Sequence, residues 1–209
     1  NRNDITATGA LAVQALSRLK AGYQIKQINI PRYYAVFFNL SDQLAPTRDK
    51  LVRQALALAV NKKQIIEEVF ANGALIIDGP VFPGLEGFAA ELYQENYNPE
   101  KAKELLAAAK LKIKPSLDLI VPQIPFLTDT AALLKRDWAE LGVKTNIVVM
   151  EPAEVASQII KTRNYSAVLF GNILRANPDV FPFWHSAERF YPGLNLSLYN
   201  NKEVDQALN

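Results

Sequence analysis

"SLDLIVPQIPFLTDTAALLKRDWAELGVKTNIVVMEPAEVASQIIKTRNYSAVLF", residues 116–170, switches periodicity four times. Residues 116–121 alternate, with Leu117, Leu119 and Val121 on one side, the two-residue period of a strand. From Thr128 the spacing lengthens: Leu134, Trp138 and Leu141 share one helical face, and Gly142 stands where a helix stops. "VKTNIVV" returns to alternation through Val143, Thr145 and Ile147. Pro152 opens a second helix with Val155, Ile159 and Ile160 inward. "YSAVLF" is continuously apolar, as expected of a strand covered on both faces. Strand, helix, strand, helix, strand predicts an α/β fold with a largely parallel sheet, because a parallel return needs a crossover long enough to hold a helix. Ligands of such sheets sit beyond the carboxyl ends of the strands.

The rest of the chain extends this pattern. "YYAVFFNL" (33–40) is aromatic and β-branched and predicts a buried strand, whereas "QIKQINI" alternates only weakly. "GALAVQALSRLKAG" (9–22) predicts a helix that stops at Gly22. Leu51, Val52, Ala55, Leu56, Ala59 and Val60 predict an amphipathic helix. Asn61, with Gln64 three residues on, has the spacing of a capping box; Ile65, Ile66, Val69 and Phe70 form the next apolar face and Gly73 its stop. Residues 78–98, rich in Gly, Pro and Tyr, read as a surface loop. Asn98-Pro99 starts a further helix, with Asn as cap and Leu105, Leu106 and Ala109 inward.

Composition narrows function by exclusion. The 209 residues are 49% hydrophobic and 21% charged with a formal net charge of +2, enough to build a sizeable core. Lys and Arg are scattered, so no nucleic-acid stripe is expected. The chain has no cysteine, which removes disulfides, thiolate nucleophiles and Cys-bound zinc. Apolar runs such as "ALALAV" are too short to span a bilayer. There is no phosphate-binding glycine loop, no dinucleotide fingerprint and no nucleophile elbow. His185 is the only histidine and lies beside Trp184 and Phe183, a setting in which packing outweighs catalysis. Asp137 and Glu140 read as solvated charges on the polar side of their helix. No enzyme, metal or cofactor is expected.

The order of these segments resembles the extracellular solute-binding protein family 5, the oligopeptide- and dipeptide-binding-type receptors of ABC importers. "YYAVFFNL" is similar to its aromatic strand ending in Phe-Asn, and "DKLVRQALALAVNKKQII" (49–66) to its double helix. "GPVFPG", "YNPEKAKELLAAAK" (97–110), "LKRDWAELGVKTNIV", "NPDVFPFWHS" and "YNNKEVDQAL" resemble further elements in family order. The resemblance implies a periplasmic-binding-protein-like type II lobe, a mostly parallel sheet flanked by helices. Residues 1–32 would be a lead-in from the first lobe or hinge, and 33–209 the second, C-terminal lobe, truncated at its end. Two such lobes close on a ligand. The implied partners are a small-molecule or peptide ligand and, through the complete protein, an ABC importer permease. The implied location is periplasmic or extracellular, anchored at the cell surface, with no nucleic acid and no membrane insertion by this segment. The alternative is an effector-binding domain of a transcriptional regulator or sensor.

Asn39 at a strand exit, and Gln123 and Phe126 in the strand-to-helix turn "PQIPFL", are candidate ligand residues; their alternatives are a turn cap and ordinary loop packing. Asn172, Arg175, Asn177 and Trp184 complete the set from "GNILRANPDVFPFWHS" (171–186). Peptide-binding members often read Gly-Trp-x-x-Asp at this point, the acid neutralising the ligand's terminal ammonium. Here Asn172 replaces the Trp and Arg175 the Asp, which inverts the charge and favours a carboxylate, a phosphate or a carbonyl-rich ligand. The alternative for Arg175 is a bridge to Asp179 or Glu188. Asp179 reads as a helix cap. Arg53, on an otherwise apolar helix, is expected to be structural, bound to Asp49 or to backbone carbonyls, and Trp138 to be core.

Overall fold

The computed structural model describes residues 22, 24, 25, 32–42, 45–79, 81, 83, 88, 89, 97–111, 115–173 and 179–209. Among the described residues four strands form one sheet: β1 Arg32–Phe38, β2 Ser116–Pro122, β3 Lys144–Met150 and β4 Ala167–Ile173. Their spatial order is β1-β4-β2-β3. β2 pairs in parallel with both β3 and β4, while β1 runs antiparallel along β4 from Arg32↔Ile173 to Phe38↔Ala167. The sheet is therefore mostly parallel, with one reversed strand at its edge.

Alternation within the strands divides two cores. Leu117, Leu119 and Val121 of β2 join Ala167 and Leu169 of β4 on one face, with Tyr34, Val36 and Phe38 of β1 packed against them. Helices α1 (Lys50–Leu58), α2 (Lys62–Glu68), α3 (Pro99–Ala108) and α4 (Pro125–Ala139) supply the other side of this core through Val52, Leu56, Ile65, Ala102, Leu134 and Trp138. The opposite face presents Tyr33, Phe37, Ile120 and Val168 to Val155, Ile159, Tyr165 and Leu196. Val155 and Ile159 lie on π-helical turns, Val155–Ile160, that continue directly from the short α5, Pro152–Glu154. The segment predicted as one helix thus changes pitch after its first turn. α6 (Phe181–Trp184), a 3₁₀ turn (Ser186–Glu188) and α7 (Lys202–Leu208) complete the described chain.

Caps expected from the sequence form where predicted. Asn61 Oδ1 accepts the Gln64 N–H at 3.1 Å, Asn98 Oδ1 accepts the Lys101 N–H at 2.9 Å, and Gly142 takes φ +77° after α4. The capping box is incomplete, however: the Asn61 N–H donates to Asp137 Oδ2 at 3.0 Å. Asp137 is buried, which corrects the expectation of a solvated charge; Glu140 is exposed. A carboxylate that leaves water needs partners, and the start of α2 and the Arg136 guanidinium provide them. After α2 the left-handed residues are Ala71 and Asn72 rather than Gly73. Trp138 is core, its Nε1 donating to Leu56 O at 3.0 Å. Arg53 Nη1 donates to the carbonyls of Thr47 and Arg48 at 2.8 and 2.7 Å, as expected of a structural residue. Residues 9–21 of the predicted helix 9–22, residues 26–30 of "QIKQINI" and most of the 78–98 loop lie outside the described residues.

Candidate functional site

The parallel strands do not end level. Leu119 faces Ala167, so Pro122 at the end of β2 is level with Phe170, and β4 continues three residues further. Those residues, Gly171–Ile173, remain paired with Arg32–Tyr34 and form a two-stranded ribbon past the carboxyl edge of the sheet. One face of the ribbon is aromatic. The Tyr34 ring lies over Gly171, where an added Cβ would stand 2.5 Å from Tyr34 Cε1. Tyr34 meets Phe126 edge-on at 5.0 Å between centroids, and Phe126 in turn meets Phe70 at 5.7 Å. On the other face, where Tyr33 joins the second core, Asn172 Nδ2 donates to the Tyr33 hydroxyl at 3.1 Å, both residues being buried. Burial raises the Tyr33 pKa, and the bond from Asn172 offsets part of that rise. Arg32 Nη1 reaches the Tyr34 hydroxyl at 3.3 Å on the exposed side.

Three of the seven residues singled out from the sequence meet at this edge. Asn172 is on the ribbon; Phe126 packs against it; Gln123 is exposed in the adjoining turn, its N–H donating to Met150 O at 2.8 Å and its side chain having no bonding partner among the described residues. Arg175 and Asn177 follow the ribbon in sequence and lie outside the described residues. Asn39 and Trp184 are elsewhere. Asn39, next to the far end of β1, is buried: its Nδ2 donates to Arg163 O at 3.0 Å and its Oδ1 accepts the Ser41 N–H at 2.9 Å. This is the geometry of its turn-cap alternative. Trp184 lines a crevice with Val36, Phe38 and Tyr199 along the outer edge of β1.

Sequence reasoning missed Tyr33 and Tyr34 as site residues, although both fall in the predicted strand. The available signal was two adjacent aromatics opposite Gly171-Asn172, a pairing visible only once β1 is set antiparallel to β4. It also missed Arg163 and Asn195. Arg163 is buried, and its guanidinium donates to Arg189 O at 2.9 Å, to Gly193 O at 2.6 Å and to Ile160 O. Burial lowers its pKa. Asn195, fully buried, bonds the backbone of Trp184, His185 and Tyr199.

His185 is held by packing and backbone. Its ring stacks on Phe181 at 4.2 Å, and Nδ1 accepts the Ala187 N–H at 3.1 Å. Ser186 Oγ donates to Asp205 Oδ2 at 2.6 Å, not to the imidazole, and Nε2 stands 3.9 Å from Asp205. A nucleophilic triad needs the base bonded to the hydroxyl. Here the carboxylate takes the hydroxyl itself and ties α7 to the loop. Among the described residues no group of acids and His stands close enough to hold a metal, and no helix is long and apolar enough to cross a membrane.

Comparison with known proteins gives a consistent answer. A profile described as "Bacterial extracellular solute-binding proteins, family 5 Middle" matches residues 1–189. Heme-binding protein A of Haemophilus influenzae is 30% identical over 205 residues, 94% of this chain and 37% of that protein. The dipeptide-binding protein of Escherichia coli is 30% identical over 161 residues, 75% of this chain and 30% of the relative. The solved structure of the ABC transporter-associated periplasmic binding protein DppA from Helicobacter pylori, in complex with peptide STSA, matches with a TM-score of 0.82. That match covers 95% of this chain and 39% of the other at 18% identity, a likeness of fold. The chain spans 37% and 30% of the lengths of the two sequence relatives. None of the three is a regulator, so the effector-domain reading gains no support from them.

Proposed function

The chain belongs to the family 5 bacterial extracellular solute-binding proteins, with the α/β fold of periplasmic binding proteins, and from that premise we propose that it forms one ligand-binding lobe of an ABC importer's receptor. Residues 33–209 act as the second lobe, closing on solute against a first lobe supplied by the complete protein. The observation that carries this reading is the ribbon of Arg32–Tyr34 and Gly171–Ile173 beyond the carboxyl edge. It offers an aromatic wall, Tyr34 with Phe126, braced from the opposite face by the buried Tyr33–Asn172 bond, where sheets of this class bind ligands. The lobe binds without chemistry, the complete protein is anchored at the cell surface outside the cytoplasm, and its partner there is the importer's permease.

The solute is a peptide or a similar compound. Arg175 follows the ribbon where peptide-binding members often carry an acid, so carboxylates and carbonyls are favoured over a free ammonium. A second reading is supported by the relative matching 94% of the chain, which is named for heme. Heme carries two carboxylates, and the same arginine suits them. Titrating the full-length protein with a dipeptide set by calorimetry, and with heme by its absorption band, separates the two. Arg175→Asp weakens the natural ligand in either case. Unchanged affinity in that variant would leave Arg175 with a structural role only, and failure of both ligand classes would remove the proposed solutes.

A further inference from the structure

Away from the ribbon, the outer edge of β1 borders a second cluster of polar and aromatic side chains. Asn39 N–H donates toward the β4 side, to Ser166 O at 2.9 Å, whereas Leu40 N–H donates outward to Ser197 O at 3.1 Å. With a period of two, the backbone groups of Val36 and Phe38 also point outward, away from β4. They border a crevice of about 180 Å³, walled by Val36, Phe38, Leu40 and Trp184 and lined on its polar side by Arg53, Ser197 and Tyr199.

Arg53 is the unusual member. It is half-buried, and burial depresses its pKa, with the charge of Asp49 opposing that shift. Asp49 itself caps α1 through the Leu51 N–H at 2.7 Å, and no carboxylate lies within ion-pair distance of Arg53 among the described residues. Among the described residues only its Nη1 is committed, to two carbonyls. Its Nε and Nη2, the Tyr199 hydroxyl and the Ser197 hydroxyl have no bonding partner among the described residues. Asp49 acts on Arg53 only from beyond ion-pair distance, and a half-buried guanidinium with one edge open matches a planar oxyanion. We propose that this crevice is a binding site for a small carboxylate with an apolar, preferably aromatic, body. The carboxylate lies on Arg53 with Tyr199 and Ser197 completing its hydrogen bonds, and the body lies against Trp184 and Phe38. The crevice is smaller than the roughly 300 Å³ at which pockets for larger ligands begin, so it takes a molecule of phenylacetate size rather than a dipeptide. This site lies beyond the proposed solute reading and does not depend on it.

The test uses the full-length protein, with phenylacetate as probe and 2-phenylethanol as its neutral counterpart. Binding is read by calorimetry and by tryptophan fluorescence, compared with Trp184→Phe. Phenylacetate binds, phenylethanol binds at least about 10-fold more weakly, and the fluorescence change is lost in Trp184→Phe. Tyr199→Phe and Ser197→Ala each weaken phenylacetate several-fold, and Arg53→Lys does so more strongly, with folding checked by thermal melting. Tyr199→Phe and Ser197→Ala keep the test sharp if Arg53→Lys fails to fold. Three results would overturn the proposal: no phenylacetate binding at millimolar concentration, equal binding of the alcohol, or binding untouched by Tyr199→Phe and Ser197→Ala.

Discussion

The Tyr34 ring occupies the space that a side chain at residue 171 would need, and it does so from the position directly opposite Gly171 across the β1–β4 pair. Gly171 has no left-handed backbone to justify a glycine, so its role is to leave room for the ring. Gly171→Ala forces Tyr34 off its rotamer and away from Phe126, costing about 1–3 kcal/mol. In Tyr34→Ala the ring clash is gone and the tight contact left to the added methyl is the Tyr33 carbonyl at 3.0 Å, so the cost of Gly171→Ala falls without vanishing. Denaturant unfolding of the four-member cycle checks this, and strict additivity would show that the ring and the glycine are not coupled.

Asp137 accepts the Asn61 N–H across the junction of α4 and α2. Asp137→Ala leaves that N–H without its partner and costs about 1–3 kcal/mol. Arg136→Ala removes a half-exposed guanidinium and leaves the buried carboxylate its bond from the Asn61 N–H, so it costs less, about 1 kcal/mol. Chemical unfolding ranks the two. Equal losses would mean that Asp137 acts through its ion pair rather than through the start of α2.

Thr145 on β3 is buried, and its hydroxyl has no bonding partner among the described residues. Valine keeps the shape and removes the unpaired group. Thr145→Val raises stability by about 1 kcal/mol, a Tm gain of roughly 2–4 °C for a chain of this size. A lower Tm would place a bonding partner on that hydroxyl.

Periodicity made the sheet legible: Leu119 and Ile120 alternate between the two cores, and β2, β3 and β4 fall where the pattern puts them. Local caps were legible too, because Asn61 and Asn98 act within four residues of themselves. What the sequence hid is the long-range polar network. Asn39 bonds Arg163 across 124 residues of chain, so nothing beside it in sequence distinguishes a buried lock from a ligand anchor. Asp137 sits on the nominally polar face of α4 and is buried only because α2 begins against it. Trp184 is drawn to the β1 edge by Asn195, which binds the Trp184 and Tyr199 carbonyls and so closes the loop between them.

Tyr165 gives a prediction in alkali. Its hydroxyl donates to Leu196 O inside the second core, and burial pushes its pKa up to about 12, the nearby Arg163 partly opposing that rise. A phenol raised in the folded state is neutral in both states below the unfolded value near 10, so its contribution is complete there. As pH climbs through 10 the unfolded chain ionises first, and stability drains away until the folded value near 12 is passed. The loss across that window amounts to about 2–3 kcal/mol. Tyr33, also raised, adds to the loss in the same direction. Tyr165→Phe is therefore less stable than the parent at neutral pH, through loss of the bond to Leu196, yet its stability falls less steeply above pH 10. Denaturant midpoints at graded alkaline pH, with tyrosinate absorbance followed in parallel, measure both effects. Parallel pH slopes in the two proteins would show that Tyr165 does not titrate as a buried phenol.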